Sequence, residues 1–145
     1  MLIAIIGENC AGKSTLAEHI KTALGAQTVS GRDYLRMAKS EGEAAALFRE
    51  RLRRAVDGAH LVYVISEREQ LALLPGGAVR ILVSADLDTI KARFRARMRG
   101  NLPKSVEAML EKKHGMFDDG DYDYRYDGIN GDPAALCAAL SAACG

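Results

Sequence analysis

The sequence predicts an α/β protein whose parallel β-sheet carries helices on both faces, and two features of the chain support this prediction. Apolar runs rich in β-branched residues alternate with segments whose apolar residues recur at helical spacing. The clearest runs, at 2–6 and 61–65, read LIAII and LVYVI. Strands that are apolar along their whole length are typical of parallel sheets, because helices cover both faces. Such a chain is expected to have right-handed crossovers and to bind ligands at the carboxyl ends of its strands.

The other elements follow in chain order. Three polar residues precede helical patterns and are predicted N-caps: Asp86, Ser105 and Asp132, the last followed by a proline that suits the first helical position. The predicted strands are 2–6, 26–30, 61–65, 79–83 and 122–129, and the predicted helices are 16–24, 34–56, 71–74, 87–98, 105–113 and a terminal helix from 133.

Size and charge limit the functions open to this chain. Its 145 residues suit one domain, 1–145, with one core. The 20 basic and 19 acidic residues nearly balance, so the chain lacks the net positive charge that would predict a nucleic-acid or membrane partner. The first apolar run is too short for a signal peptide or a membrane span. The three cysteines lack metal-site spacing and are expected to be free thiols in the cytoplasm, where the protein would be a monomer or a homodimer.

The segment GENCAGKS at 7–14 has the phosphate-binding pattern G-x-x-x-x-G-K-[ST], placed between the first strand and the first helix. Glycines let the backbone curl so that N–H groups point at phosphate oxygens, and the helix N-terminus adds a favourable dipole. Lys13 is expected to reach the β- and γ-phosphates, and the Ser14 hydroxyl to ligate Mg²⁺. The alternative is a glycine-rich turn with an incidental lysine. The pattern predicts binding of a nucleoside triphosphate by these residues: Gly7, Asn9, Cys10, Ala11, Gly12, Lys13, Ser14 and Thr15.

The segment VSGRDYLR at 29–36 resembles the monophosphate-binding stretch of adenylate kinases, whose usual form is roughly I-S-T-G-D-M-L-R. Asp33, Leu35 and Arg36 match in place, whereas Gly31 and Arg32 depart from the pattern. The resemblance implies that Arg36 holds the phosphate of an acceptor, as a guanidinium can do in a bidentate manner. It also implies an acceptor-binding region at about 31–58. The alternative is a capped helix start with solvated charges.

The segment IKARFRAR at 90–97 resembles the start of the lid of the same kinases, often written R-x-x-x-R after the fourth strand. The resemblance implies that Arg93 packs on the base of ATP and Arg97 contacts the transferring phosphates, in a short lid at about 93–115. Such cations stabilise charge on a moving phosphoryl group. The alternative is a basic helix that faces solvent. The segment DYRYDGIN at 123–130 resembles the base-binding turn, which implies that Gly128 and Asn130 lie near adenine.

One carboxylate that the resemblance implies is missing. The third strand of such kinases ends in an aspartate that organises Mg²⁺ through water, whereas here the strand runs into SERE at 66–69. Ser66, Glu67 and Asp33 are the candidates for this role, and Asp33 is also a candidate base for an acceptor hydroxyl. Arg68 lies where monophosphate kinases often place a second phosphate-binding arginine. A charged loop that caps a helix is the alternative for this segment.

Taken in order, these segments resemble small P-loop nucleoside monophosphate kinases over most of the chain. The resemblance implies a P-loop NTPase three-layer sandwich, with a five-stranded parallel sheet of order 2-3-1-4-5. It implies ATP- and Mg²⁺-dependent phosphoryl transfer to a small acceptor, by preference a nucleoside monophosphate, with Lys13, Arg97 and Asp33 as catalytic residues. Two alternatives stay open: a kinase of the shikimate or gluconate type that phosphorylates a hydroxyl, and an ATP-binding switch protein without turnover.

Overall fold

The computed structural model describes residues 1–144, which contain one five-stranded parallel sheet. Its strands lie in the order β2-β3-β1-β4-β5, which confirms the predicted order and the α/β class. The central strand β1 pairs in parallel with β3 on one side and with β4 on the other, so the carboxyl ends of these three strands meet at one edge. The strands are β1 Leu2–Ile6, β2 Gln27–Ser30, β3 Leu61–Ile65, β4 Val79–Ser84 and β5 Tyr124–Asp127.

Five α-helices and two 3₁₀-helices connect the strands within residues 1–144. None of these helices is long and apolar enough to cross a membrane. The α-helices are α1 Lys13–Leu24, α2 Glu41–Val56, α3 Leu87–Arg97, α4 Lys104–Lys113 and α5 Pro133–Cys144, and the 3₁₀-helices are Asp33–Met37 and Arg68–Leu73.

The region after β2 is a 3₁₀-helix, a break and then α2, so the single helix predicted at 34–56 is wrong in its first part. Ala38 is extended, with φ −154° and ψ 167°. The Ser40 hydroxyl accepts a hydrogen bond from the Glu43 N–H at 3.2 Å. A serine N-cap of this kind fixes a non-helical backbone immediately before a helix. The break leaves the 3₁₀-helix packed beside β2 and α2.

Two of the three predicted caps are confirmed. The carboxylates of Asp86 and Asp132 accept hydrogen bonds from backbone N–H groups in the first turns of α3 and α5. Ser105 is not a cap, because α4 begins one residue earlier, after Pro103, whose φ of −58° already suits a helix start. The last strand is shorter than predicted. The Asp127 carboxylate accepts hydrogen bonds from the N–H groups two and three residues on and so turns the chain.

The side chains of the central strand alternate between two cores. Ile3 and Ile5 pack with α1 and α5 on one face, and Leu2, Ala4 and Ile6 pack with α2 on the other. All five are completely buried. Because helices cover both faces of the sheet, no position of this strand is available to a polar side chain.

Candidate functional site

The loop between β1 and α1 adopts a conformation that requires glycine at two positions. Gly12 has a left-handed backbone, with φ 113°. Gly7 approaches β4 so closely that a β-carbon there would lie 2.5 Å from the Val83 carbonyl oxygen. Because glycine has no β-carbon, it fits where other residues do not. The same backbone also gives Cys10 a left-handed φ of 65°. The glycines of the motif are thus required by a tightly curled loop.

Lys13 lies at the start of α1 with only 6% of its surface exposed. Its ammonium donates a hydrogen bond to the Glu8 carbonyl oxygen at 2.6 Å. Burial lowers the pKa of Lys13 to about 8; Cys10 and Glu8 oppose this shift, and Arg97 adds to it. A buried ammonium gains stability from an anion beside it, because the anion replaces the lost hydration.

A cavity of about 540 Å³ opens at the carboxyl edge of the sheet, above this loop. Three cations line it, Lys13 from the loop side and Arg93 and Arg97 from α3. Most predicted phosphate-binding and lid residues therefore lie around one cavity. Gly7 and Ala11 belong to the loop but lie off the cavity wall. The wall also includes residues that the sequence patterns did not single out: Leu16, Ser30, Val64 and Tyr126.

Arg93 joins two backbone segments beside this cavity. Its Nη1 donates to the Cys10 carbonyl oxygen at 3.1 Å, and its Nη2 donates to the Gly128 carbonyl oxygen at 3.0 Å. Gly128 begins the turn after β5, and a β-carbon there would overlap the Ala11 carbonyl oxygen. The phosphate loop, the turn after β5 and Arg93 therefore form one packed unit.

A second cavity, of about 190 Å³, adjoins the first and shares Ser14 and Ser30 with it. Asp33 lines this second cavity. Its Oδ2 accepts hydrogen bonds from the Ser30 N–H at 3.1 Å and from the Ser30 hydroxyl at 3.2 Å. The Tyr63 hydroxyl donates to the Gly31 carbonyl oxygen at 2.8 Å and fixes the backbone just before Asp33. The structure thus places a carboxylate on a cavity that Ser14 also lines.

Besides Gly7 and Ala11, three predicted site residues lie off the walls of both cavities. Arg36 is exposed on the 3₁₀-helix after β2. Arg68 is exposed as well, and its Nη1 donates to the Met116 carbonyl oxygen at 3.2 Å. Asn130 is exposed, and its N–H donates to the Asp127 carboxylate at 3.2 Å. Polar and charged side chains without a buried partner are more stable in water, which accounts for these placements.

The carboxylate that directly follows β3 is engaged by a lysine. Glu67 accepts hydrogen bonds from the Lys113 ammonium at 2.9 Å and 3.1 Å. Ser66 lines the first cavity. The Gln70 side chain is buried and accepts hydrogen bonds from the N–H groups of Ser66 and Glu67, which holds this turn. Of the three candidates for the missing aspartate, Asp33 is therefore the carboxylate that lines a cavity.

One contact of the phosphate loop has no signal in the sequence. The Glu8 carboxylate accepts a hydrogen bond from the Gly115 N–H at 3.1 Å and pairs with His114 Nδ1 at 3.0 Å. The segment after α4 is thereby held against the loop. Glu8 occupies a position that the motif leaves free, and it lies 106 positions from His114, so spacing alone does not predict the pair.

The chain resembles known proteins in structure. No protein-family model matches the chain, and no curated protein matches it in sequence. An uncharacterised protein from Eubacterium ventriosum aligns at 18% identity with a TM-score of 0.67, over 99% of this chain and 97% of that one. A gluconokinase from Sinorhizobium meliloti aligns at 18% identity with a TM-score of 0.60, over 97% of this chain and 93% of that one. A deoxyadenosine kinase from M. mycoides aligns at 16% identity with a TM-score of 0.57, over 99% and 98%.

The chain has the P-loop kinase fold. The resemblance read from the sequence motifs is therefore confirmed at the level of fold. In this P-loop kinase fold, the cavity above the loop lies where β1, β2, β3 and β5 end, as the parallel topology predicts for a ligand site.

The donor set of this P-loop kinase fold suits Mg²⁺ bound together with a triphosphate. In such sites Mg²⁺ takes most of its ligands from phosphate and water oxygens and few from the protein. The Ser14 hydroxyl and the Asp33 carboxylate are oxygen donors on one cavity wall. Within residues 1–144 no group of three or more His, Cys, Asp or Glu side chains forms a metal site of protein ligands alone.

Proposed function

We propose that the protein transfers the γ-phosphoryl group of ATP to a hydroxyl group of a small acceptor. The observation that carries this proposal is the position of Asp33, which lines the second cavity, and this cavity adjoins the first one at Ser14. A carboxylate next to the γ-phosphate can take the proton of an acceptor hydroxyl. Two proteins that share the fold, a gluconokinase and a shikimate kinase from Aquifex aeolicus, are named for acceptors that bear hydroxyl groups.

The proposed step uses groups from both cavities. The acceptor oxygen forms a bond to the γ-phosphorus, the bond from that phosphorus to the leaving ADP oxygen breaks, and the acceptor proton moves to the Asp33 carboxylate. Lys13 and Arg97 balance charge on the phosphate oxygens during the transfer. When bound through the Ser14 hydroxyl, Mg²⁺ supplies further neutralisation of the β- and γ-phosphates. Positioning and charge stabilisation carry the catalysis, because the protein forms no covalent intermediate.

Different parts of a single domain, 1–145, are assigned different tasks. The acceptor-binding region is about 31–58, which contains Asp33, and the lid is about 93–115, which contains Arg97. The turn with Gly128 and Asn130 is assigned to the adenine side, because Gly128 lines the first cavity.

A nucleoside monophosphate is the second candidate acceptor, and the position of Arg36 favours it. Arg36 lies three residues after Asp33 in a 3₁₀-helix, where side chains three residues apart lie on the same side. An exposed guanidinium there is available to the phosphate of an acceptor that reaches beyond the cavity. In that case Arg36→Ala raises the KM for the monophosphate at least about tenfold, while the Kd for ATP stays within about twofold.

The experiment is a survey of ATP-dependent ADP release with neutral polyols, hydroxy acids and nucleoside monophosphates as acceptors. We expect turnover with a hydroxyl acceptor, and we expect Asp33→Asn to lower kcat at least about 100-fold by removing the base. Asp57→Asn, an exposed carboxylate at the far end of α2, is the matched control and should leave kcat unchanged. Turnover with monophosphates alone, combined with sensitivity to Arg36→Ala, would establish the second candidate. ATP binding without transfer to any acceptor would point to the non-catalytic switch protein.

A further inference from the structure

We infer that Arg93 is a positioning residue that fixes the phosphate loop against the turn after β5. The inference rests on the proposed function in one respect only, the binding of a triphosphate at this loop. It differs from the role implied by the adenylate-kinase resemblance, in which the first lid arginine packs on adenine.

The contacts of Arg93 are with backbone, and they use both ends of its guanidinium fork. One nitrogen donates to the Cys10 carbonyl oxygen and the other to the Gly128 carbonyl oxygen, at 3.1 Å and 3.0 Å. Hydrogen bonds from a charged donor are roughly twice as strong as those between neutral groups. A planar fork is also rigid, so the two bonds set the distance between the two carbonyl groups.

The Cys10 carbonyl is connected to Lys13 through the loop itself. The peptide group that carries this carbonyl also carries the Ala11 N–H, which donates to the Glu8 carbonyl oxygen at 3.1 Å. The Lys13 ammonium donates to that same Glu8 oxygen at 2.6 Å. Arg93 therefore holds one end of a chain of hydrogen bonds whose other end is the lysine of the motif.

The second segment that Arg93 holds is itself anchored and closely packed. The Gly128 N–H donates to the Ser84 carbonyl oxygen of β4 at 2.7 Å. A β-carbon on Gly12 would lie 3.1 Å from the Gly128 carbonyl oxygen and 3.6 Å from Nη1 of Arg93. The loop, the turn and the guanidinium are thus in direct contact, and a change in one is expected to move the others.

Binding of ligands with and without a base separates this role from stacking. Affinities of the wild type, Arg93→Gln and Arg93→Lys are measured by calorimetry for ATP and for inorganic tripolyphosphate, both with Mg²⁺. We expect both variants to bind both ligands at least about tenfold more weakly, by equal factors, because lysine keeps the charge but cannot bridge two carbonyls. Arg95→Gln and Arg95→Lys, exposed on the same helix, are the matched controls and should bind like the wild type.

Three outcomes would overturn the inference. A loss of affinity for ATP alone would establish a contact between Arg93 and the base. Wild-type affinities in Arg93→Lys would show that only the positive charge of Arg93 matters. Normal affinities in both variants with a lower Tm would make Arg93 a purely structural residue. If the wild type binds neither ligand, the proposed function fails, and hydrogen exchange of the free protein still tests the inference. Amides at 8–13 and 127–131 should then exchange at least about fivefold faster in Arg93→Gln, with those of α2 unchanged.

Discussion

The carbonyl oxygen of Ala11 lies directly against the α-carbon of Gly128, in a space that excludes any side chain at position 128. Ala11 belongs to the loop that follows the first strand, and Gly128 to the turn that follows the last one. The loop after the first strand and the turn after the last strand therefore meet beside the cavity, and the shape of the loop depends on a residue 117 positions away, the difference between 128 and 11.

Gly128→Ala tests this close packing. Because the new β-carbon would overlap the Ala11 carbonyl oxygen, the loop or the turn must move. We expect the free energy of unfolding to fall by about 1–3 kcal/mol, as is typical of overpacking, and the Kd for ATP to rise at least about tenfold. Gly76→Ala is the matched control, because a β-carbon there meets nothing within 4 Å. Equal behaviour of the two variants in denaturant unfolding and ATP titration would refute the prediction.

Lys13→Ala should abolish phosphoryl transfer. Lys13 is the lysine on the wall of the 540 Å³ cavity, and its loss leaves the phosphates beside the loop without an ammonium. We expect kcat/KM to fall at least about 100-fold, equivalent to about 2.7 kcal/mol of transition-state stabilisation. Lys21→Ala, exposed on the last turn of α1, should keep full activity. If turnover of Lys13→Ala stayed within about tenfold of the wild type, Lys13 would have no catalytic role.

The stability of the ligand-free protein should also depend on Lys13 and on pH. The pKa of Lys13 is lowered by burial from 10.5 to about 8, so between these values the unfolded chain binds more protons than the folded one. The free energy of unfolding therefore rises with pH across that window, and below pH 8 the cost of the buried charge is fully present. We expect Lys13→Met to be more stable than the wild type by about 2 kcal/mol at pH 7, after allowing for the lost hydrogen bond to Glu8.

The pH series supplies the decisive comparison for this prediction. The stability advantage of Lys13→Met over the wild type should shrink as pH rises from 8. Above pH 10.5, where the cost of the buried charge is gone, the lost hydrogen bond should leave Lys13→Met the less stable of the two. Lys21→Met is the control, because Lys21 is exposed and its replacement removes no buried charge. Denaturant unfolding at several pH values gives the free energy of unfolding of all three proteins. A difference between Lys13→Met and the wild type that stays constant with pH would contradict the prediction.

The sheet and the phosphate loop could be predicted because each depends on local signals. The runs LIAII and LVYVI are buried on both faces of the sheet, and such burial leaves an uninterrupted apolar pattern. The caps Asp86 and Asp132 act within one helical turn, so they too are visible in a short window of sequence. The strand order was implied by the resemblance of the ordered motifs to small P-loop kinases, and the structure has that order.

The positions of distant side chains could not be predicted in the same way. Arg93 and Cys10 are 83 residues apart, and their contact depends on how α3 packs over the loop. The helix break after β2 was also hidden, because helical spacing continues through 34–56 and the Ser40 cap competes with it. The family motif assigned Arg36 to the acceptor phosphate, but a motif gives no information on whether the guanidinium reaches the cavity, and Arg36 lies off its wall.

Arg97 and Arg95 provide a matched pair for testing whether α3 contributes to catalysis. Arg97 lines the cavity, and its charge helps to lower the pKa of Lys13. Arg95 is exposed on the same helix and lines neither cavity described above. If Arg97 contacts the moving phosphoryl group, its effect is greatest in the transition state, where charge on the phosphate oxygens changes.

Arg97→Lys keeps the positive charge but loses the planar fork, so we expect kcat to fall at least about tenfold while the Kd for ATP stays within about twofold. Arg95→Lys should change neither quantity, because Arg95 is also an arginine of α3 but does not line the cavity. Single-turnover transfer and equilibrium ATP binding measure the two effects separately. Small and equal effects at the two positions would show that α3 is a solvated basic helix, and the transition-state charge would then rest on Lys13 and Mg²⁺ alone.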